Sequence, residues 1–516
     1  MSKRSSRPEA GRNPSANPSI GALMQQAVNA HQAGQLQQAL PLYRRVLSLA
    51  PGHPDALNFS AMAHLQLGNP DKAVPLLQKA MAQHPDFADA CQNLGVALKA
   101  LGRLDEALDV YRRLLRLKPG YAQGHNDLGI LLRQLGRFDE AIEAYTQAFN
   151  LAPDYAEAHA NLGNLLRALD RLDDAAGHFR RAIAINPDLA GAHRSLGLVL
   201  QVQGALDEAV ACHRRATELR PNHAEAHADL GRALVENGRI EEGVASLRRA
   251  LELDPRETET HTSLGLALHD LGDLNGALEA LDECLRLDAG NTHALANKAI
   301  LLHALQMGDA QRELVDFDRL IQPLEIDAPE GFASLVEFNQ ALTRFACNHP
   351  TLMGERLSKT TRNGSQTGAL FPADCDEAVA MEAVIRRAVD NYIRELTPRS
   401  DHPFLAKPPR RYRIACWATV LDAGGHQAAH VHPAGWLSGV YYARIPDVIG
   451  EDDQAGWIEF GRPDPRFYET DDYPVRLMQP VEGLMVLFPS YFWHRTLPFE
   501  SDDQRISFAF DVLAES

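Results

Sequence analysis

Seven prolines of this chain stand 34 residues apart: Pro51, Pro85, Pro119, Pro153, Pro187, Pro221 and Pro255. An interval of that length, kept over half a chain, leaves few architectures open. Glycines hold the same beat at Gly34, Gly68, Gly102, Gly136, Gly204, Gly238 and Gly272, with Asp170 in the one gap. So do the small residues Ala39, Ala73, Ala107, Ala141, Ala175, Ala209, Gly243 and Ala277. A second glycine series, Gly95, Gly129, Gly163, Gly197, Gly231 and Gly265, falls inside the first helix expected for each unit. Each unit is then two amphipathic helices joined by a short turn. Small residues sit where the helices cross closely, because a larger side chain would hold the backbones apart. Proline follows the second helix, where no needed N–H is lost. One pair cannot bury its own apolar face, so pairs stack.

Lines such as "AHANLGNLLRALDRLDDAAGHFRRAIAINP" and "AHADLGRALVENGRIEEGVASLRRALELDP" closely resemble the tetratricopeptide repeat. Eight units fit between about residue 20 and residue 291, and "ALANKAILLHALQMGDAQRELVDFDRLI" reads as a ninth, degenerate pair that caps them. The resemblance implies a solenoid whose concave groove takes a protein or peptide. His125, His159, His193, His227 and His261 recur at one repeat position. They form either a polar ladder along the groove or part of the packing, and the logic of a stacked array favours packing. Asn93, Asn161 and Asn164 are candidates for contact with a bound peptide backbone.

At 516 residues the chain needs more than one core. Its net charge of −17 argues against a general nucleic-acid binder and against anionic membrane surfaces. The six cysteines, Cys91, Cys212, Cys284, Cys347, Cys375 and Cys416, show no CxxC spacing and suit a reducing compartment. Residues 1–19 are polar, rich in Pro, Ser and Arg, and read as a disordered tail. No window is apolar enough to span a bilayer, so the expected location is the cytoplasm.

The 34-residue beat ends near residue 325, which sets expected domains at 20–325 and 326–516. "PLEIDAPEGFASLVEFNQALTRFACNHP" reads as a loop then a helix, and "TTRNGSQTGALFPAD" as a polar loop. "DEAVAMEAVIRRAVDNYIREL" is an amphipathic helix through Met381, Val384, Ile385, Val389, Tyr392, Ile393 and Leu396, ended by Pro398. From about residue 410 to 516 the texture turns to period two. Strands are expected in "RYRIACWATVL", "WLSGVYYARI", "GWIEFG", "GLMVLFP" and "RISFAFDVL", as an antiparallel barrel or sandwich. In the last of these, Arg505, Ser507, Ala509 and Asp511 share one face, and Ile506, Phe508, Phe510 and Val512 the other.

His430 and His432 are two apart and point the same way on an extended segment. His494, in "FPSYFWHRTLP", follows a strand and is placed to complete a set of imidazoles suited to iron, copper, nickel or zinc. Arg505, eleven residues after His494, is placed deeper in the same cavity, where a guanidinium suits a dicarboxylate or keto acid. Tyr441, Tyr442 and Ser438 lie on the strand after the first two histidines. A hydroxyl there either touches a co-substrate or belongs to the core. Trp417 and Trp436 are substrate walls or core. Gly425 and Gly439 serve turns and close packing.

Together, "HxH…LSGVYY…WIEF…EGLMVLFPSYFWHRTLP…RISFAF" resembles the non-haem iron, 2-oxoglutarate-dependent oxygenases over roughly residue 329 to the C-terminus. The resemblance implies a double-stranded β-helix (jelly-roll) with flanking helices, Fe(II), 2-oxoglutarate as co-substrate, and hydroxylation of a C–H bond with succinate as by-product. It implies His430 and His494 as iron ligands and Arg505 with Ser507 on the co-substrate; of the hydroxyls on the strand after the ligands, Tyr442 is the candidate for the co-substrate, and no catalytic residue is expected beyond the metal site. At the position where the family carries a carboxylate this chain has His432. Either His432 is the third ligand, or it turns aside and leaves two histidines, or Glu459 or Asp447 folds in. His426 is expected outside the ligand set, on a loop. Two other functions compete: a tetratricopeptide scaffold carrying a degenerate barrel, and a cupin-like metalloenzyme without a keto acid, against which Arg505 and Ser507 argue.

Overall fold

The computed structural model describes residues 19–354, 360–399, 402–406, 408–450, 454–464 and 473–515. The tail expected over residues 1–19 lies, apart from Ser19, outside the described residues. The chain divides into two compact units, Met1–Pro221 and Asn222–Ser516.

The first unit holds six helix pairs, from Ile20–Gln32 with Leu36–Leu49 to Ala190–Val202 with Leu206–Leu219. Within each pair the first helix ends on a residue in the left-handed region: Gly34, Gly68, Gly102, Gly136 and Gly204 have φ between 72° and 76°. In the first pair, Gln35 N–H reaches back to Ala30 C=O, so the turn closes as a glycine C-cap. Asp170 takes the same place at φ 60°, which a short polar side chain tolerates. The glycines inside the first helices have another cause. Gly95, Gly129, Gly163 and Gly197 each face a ring of the second helix: Tyr111, Tyr145, Phe179 and His213. A methyl group at Gly163 would sit 2.8 Å from Phe179. The small residues Ala39, Ala73, Ala107, Ala141, Ala175 and Ala209 are fully buried, and one core runs from Leu57 to Ala209.

The repeated histidines serve the repeat. Nε2–H of His125 and of His193 donates to the carbonyls of Pro119 and Pro187 at 3.0 and 2.9 Å. His159 stacks on Phe149 with 4.3 Å between centroids. The amides pair with side chains of neighbouring repeats: Asn93 donates to Asn58 at 2.8 Å, Asn161 donates to Asn126 at 2.9 Å, and Asn164 accepts from Ser195 at 3.1 Å.

The second unit opens with two more pairs, Ala224–Glu236 with Ile240–Leu253 and Thr258–Asp270 with Leu274–Leu287, which complete eight. His261 repeats the bond to its proline, Pro255, at 3.0 Å. After these pairs Thr292–Ala304 is full length, and the helix that follows it breaks into Gly308–Leu314 and Phe317–Leu320.

Two antiparallel sheets follow. The strands are β1 (Gln322–Glu325), β2 (Met353–Gly354), β3 (Thr361–Gln366), β4 (Tyr412–Gln427), β5 (Leu437–Arg444), β6 (Ile458–Phe460), β7 (Arg476–Met478), β8 (Leu484–Pro489), β9 (His494–Thr496) and β10 (Arg505–Ala514). Seven form a sheet in the order β1-β8-β5-β10-β4-β3-β2, and three form a second in the order β7-β6-β9. Helices Leu335–Cys347 and Asp376–Glu395 share a core with the face of β4 and β10 that carries Ile414, Cys416, Ala418, Val420, Ile506, Phe508, Phe510 and Val512. Leu295, Ala299, Leu302, Leu314 and Leu320 of the last helices belong to the same core.

Two segments expected as loops are strands. "QPLE" is β1, paired with β8 at the sheet edge, where Pro323 has no ladder partner to miss. "TRNGSQ" is β3, a polar strand with poor intrinsic preference that forms because β4 offers it a long edge. Gly364 is required there, since a Cβ would meet Val420 O. His426, expected on a loop, lies in β4. Among the described residues no helix is long and apolar enough to cross a membrane.

Candidate metal centre

Strand β10 aligns the site. Its face with Arg505, Ser507 and Asp511 lies beside Leu421, Thr419 and Ala415 of β4, and beside Tyr442 and Ser438 of β5, which stand opposite Ser507 and Asp511. Thr419, Ser507 and Tyr442 therefore make one polar row across three strands, and Gln366 reaches Thr419 Oγ1 at 3.4 Å. On the other face of the same strands Ile414, Cys416, Ala418, Val420, Ile506, Phe508, Phe510 and Val512 are buried in the core shared with the helices. Gly439 packs against the Phe510 ring and Gly425 against Asp422 and Asn363 backbone, the close approaches their lack of a Cβ allows.

The three histidines come together. One ring nitrogen from each of His430, His432 and His494 lies within 4.8 Å of the others. Backbone bonds set this up: His430 N–H to His494 C=O at 3.0 Å, the reverse at 3.1 Å, and His432 N–H to Ser490 C=O at 2.9 Å. Each Nδ1 is then occupied. His430 Nδ1 meets Ala428 O at 2.7 Å, His494 Nδ1 meets Phe492 O at 3.0 Å, and His432 Nδ1 meets Asp511 Oδ1 at 2.7 Å. All three partners are acceptors, so each Nδ1 carries the proton and each Nε2 presents a lone pair. Nε2 of His432 and of His494 face each other at 3.2 Å. Two lone pairs at that distance repel unless a cation lies between them. Nitrogen ligands about 2.0–2.1 Å from one ion are separated by a similar distance. Burial, and then His432, pushes the His430 pKa down to about 3. Burial, with His430 next, holds His494 well below its ordinary value. Both rings are therefore neutral donors.

Arg505 is 2% exposed. Its Nη1 donates to Thr496 Oγ1 at 3.2 Å, and its guanidinium carbon lies 5.1 Å from the centre of the Tyr442 ring. Among the described residues no carboxylate pairs with it. Among the described residues its Nε and the Tyr442 hydroxyl, both buried, have no hydrogen-bond partner. Burial lowers the Arg505 pKa and raises that of Tyr442. His494 and Thr496 are alternate residues of β9, which links the guanidinium to the imidazoles.

The other candidates are engaged elsewhere. Glu459 is gripped by Arg495 at 2.7 Å and Arg462 at 3.1 Å, and Asp447 is exposed. His426 Nδ1 meets Gly424 O at 3.2 Å. Tyr441 donates to Asn339 on the helical side. Trp436 stacks on Phe404 and belongs to the core, whereas Trp417 stacks on His432 with 5.7 Å between ring centres. Sequence reasoning missed Asp511 and Thr496. Asp511 had a readable signal: it shares strand parity with Arg505 and Ser507.

Residues 415–511 match the family described as "Putative 2OG-Fe(II) oxygenase", residues 30–77 the tetratricopeptide repeat, and residues 87–300 the cilia and flagella-associated protein 70 C-terminal domain. Family models thus place tetratricopeptide repeats in the N-terminal part of the chain and a match to "Putative 2OG-Fe(II) oxygenase" at its C-terminal end. The span matched by that family contains His430, His432, Tyr442, His494, Arg505, Ser507 and Asp511. No curated protein matches the chain. Among solved structures, MamA is 24% identical, with 31% of this chain and 94% of that one covered and a TM-score of 0.30. YrrB, a TPR protein with an unusual peptide-binding site, is 24% identical over 38% and 97%, at 0.31. A thermophilic TPR protein in Thermus thermophilus is 26% identical over 36% and 100%, also at 0.31.

The donor set fits iron: three imidazole nitrogens converge, and imidazole is a ligand iron accepts. A buried guanidinium with no carboxylate beside it among the described residues, next to a phenol, fits an anionic, oxygen-rich co-substrate.

Proposed function

We propose that the protein is an Fe(II)- and 2-oxoglutarate-dependent dioxygenase that hydroxylates a protein or peptide recruited by its tetratricopeptide part. In this reading the recruiting part is 20–325 and the oxygenase part 326–516, its two sheets forming a jelly-roll. His430, His432 and His494 hold the metal. Arg505 takes the far carboxylate of 2-oxoglutarate as a charge-assisted bond, and Ser507 and Tyr442 supply hydroxyls beside it. When bound, iron supplies the activation of O2 that couples loss of CO2 from 2-oxoglutarate to oxidation of a C–H bond.

The protein's own part is geometric. The Nδ1 partners keep three lone pairs aimed at one point without reorganisation. The buried guanidinium orients the co-substrate and neutralises its charge. The apolar rings Phe460 and Phe488, near His494 with 6.1 and 4.7 Å between centres, limit water at the centre. A tethered recruiting surface raises the effective concentration of substrate to about the millimolar range with no new contact at the metal.

The observation that carries this reading is Arg505: a buried cation with no anion of its own among the described residues, bonded through Thr496 to the strand that bears His494 of the imidazole set. The test is an anaerobic Fe(II) titration with and without 2-oxoglutarate. A visible charge-transfer band should appear only with both, and O2 should then yield succinate. Iron binding without a response to the keto acid would reject the reading.

A further inference from the structure

Three histidines hold the centre, but the acceptors behind them differ. His430 and His494 lean on backbone carbonyls, whereas His432 leans on the Asp511 carboxylate at 2.7 Å. That carboxylate is itself built into the fold. Oδ1 also accepts from Ser438 Oγ at 2.7 Å, and Ser438 and Ser490 hydroxyls bond each other at 2.8 Å. Register makes this possible: Asp511 of β10 stands opposite Ser438 of β5, and Ser490 follows β8 while accepting the His432 N–H through its own carbonyl. Gly435 completes the cradle, since a Cβ there would crowd Ser490 Oγ and stand 3.3 Å from Asp511 Oδ1. Segments from β5, β8 and β10 thus converge on one carboxylate, which in turn holds an imidazole.

We propose that Asp511 is the positioning residue of the metal centre. It holds Nδ1–H of His432, turns that ring's Nε2 onto the ion shared with His430 and His494, and places a negative charge one imidazole away from a divalent cation whose direct ligands are neutral. This rests on the metal centre proposed above. A carboxylate behind a ligating imidazole makes the ring a stronger donor and fixes its tautomer. It also answers why the third position tolerates histidine: the charge is moved outward by one ring.

The test is metal affinity and spectroscopy on the full chain, without turnover. Fe(II) and Co(II) are titrated anaerobically against a competing chelator into wild type, Asp511→Asn and Ser438→Ala. Asp511→Asn keeps the shape and removes the charge. It should weaken both ions by about 10–100-fold and shift the Co(II) visible bands, which a merely structural role would leave in place. Ser438→Ala loosens the carboxylate without deleting it and should weaken binding by at least about threefold. Affinities within twofold of wild type and superimposable Co(II) bands would overturn the proposal. If Asp511→Asn does not fold, Ser438→Ala decides by the same criteria. Wild type that binds neither ion would reject the centre and this inference together. Metal affinities as expected, with no 2-oxoglutarate response, would reject the dioxygenase reading and leave the role of Asp511 standing.

Discussion

Arg505→Met should do two opposite things. A buried unpaired ion carries a desolvation penalty of several kcal/mol. In the absence of co-substrate Arg505 recovers one hydrogen bond to Thr496 and a ring contact with Tyr442, the second worth about 2 kcal/mol at most. Methionine has similar reach and no charge, so the ligand-free variant should be more stable by about 1–4 kcal/mol, the range seen when buried ions give way to apolar residues. At about 2 °C per kcal/mol for a unit of this size, the midpoint rises by about 2–8 °C. The assay reads this unit directly, because all four tryptophans, Trp417, Trp436, Trp457 and Trp493, lie in it. Metal-loaded wild type should gain about 2.7 kcal/mol from 2-oxoglutarate at a hundred times its Kd, and the variant nothing. A variant less stable than wild type that still responds to 2-oxoglutarate would refute the reasoning and make the guanidinium a structural group.

Tyr442→Phe removes a buried hydroxyl with no partner. It should leave ligand-free stability unchanged or higher while weakening 2-oxoglutarate by about 10–100-fold, the worth of a bond to a charged group, as titration calorimetry on the metal-loaded protein would show. Phe179→Ala empties a fully buried site against Gly163 and should destabilise the first unit by about 3–5 kcal/mol, seen in urea unfolding by far-UV circular dichroism. His159 has its pKa lowered to about 4, by burial first and then by His178. The fold prefers the neutral ring, so this contribution is full above the unfolded value near 6.5 and is lost as pH falls from there towards 4. The urea midpoint should drop over that window, and less so in His159→Gln. Finally, a fragment starting at residue 326 lacks Leu295, Leu302, Leu314 and Leu320 of the second core. It should be poorly folded, with red-shifted tryptophan emission, where a fragment starting at residue 222 is not.

The repeats were legible almost to the residue because their physics is local. Each 34-residue unit contains its own reason for Gly102, Ala107 and Pro119, and periodicity repeats that reason along the array. Even the exceptions obey it: Asp170 fills a left-handed turn that another residue type would resist. The long apolar strands were legible for a similar reason, since β10 shows its two faces in its own alternation. What stayed hidden depends on partners far along the chain. "TRNGSQ" has little strand character, and only the edge of β4 makes it β3. "QPLE" becomes β1 because β8 lies beside it. The histidines were found by type and spacing, but their convergence rests on a backbone pair between His430 and His494, 64 residues apart, that no local pattern encodes. Asp511 was visible as a parity match to Arg505 and went unread because its partner, His432, lies on a different segment.

The two faces of β10 bear on whether the two-sheet domain is only a passenger of the repeats. One face is Ile506, Phe508, Phe510 and Val512, close-packed and self-sufficient. The other presents Arg505, Ser507 and Asp511 to Thr419, Tyr442, Ser438 and Thr496, nearly all buried. A satisfied buried polar pair adds about 1 kcal/mol, and an unsatisfied group costs about 1–3 kcal/mol. A sheet domain kept for support alone would be more stable with apolar residues along this face, as β10 already has along its back. Yet the polar groups that do have partners, His432 with Asp511 and Asp511 with Ser438, are arranged to leave nitrogen lone pairs free. Those without partners, Arg505 Nε and the Tyr442 hydroxyl, are of the types that bind an anion. Stability alone explains neither half of that pattern, and a site built for a metal and an acidic co-substrate explains both.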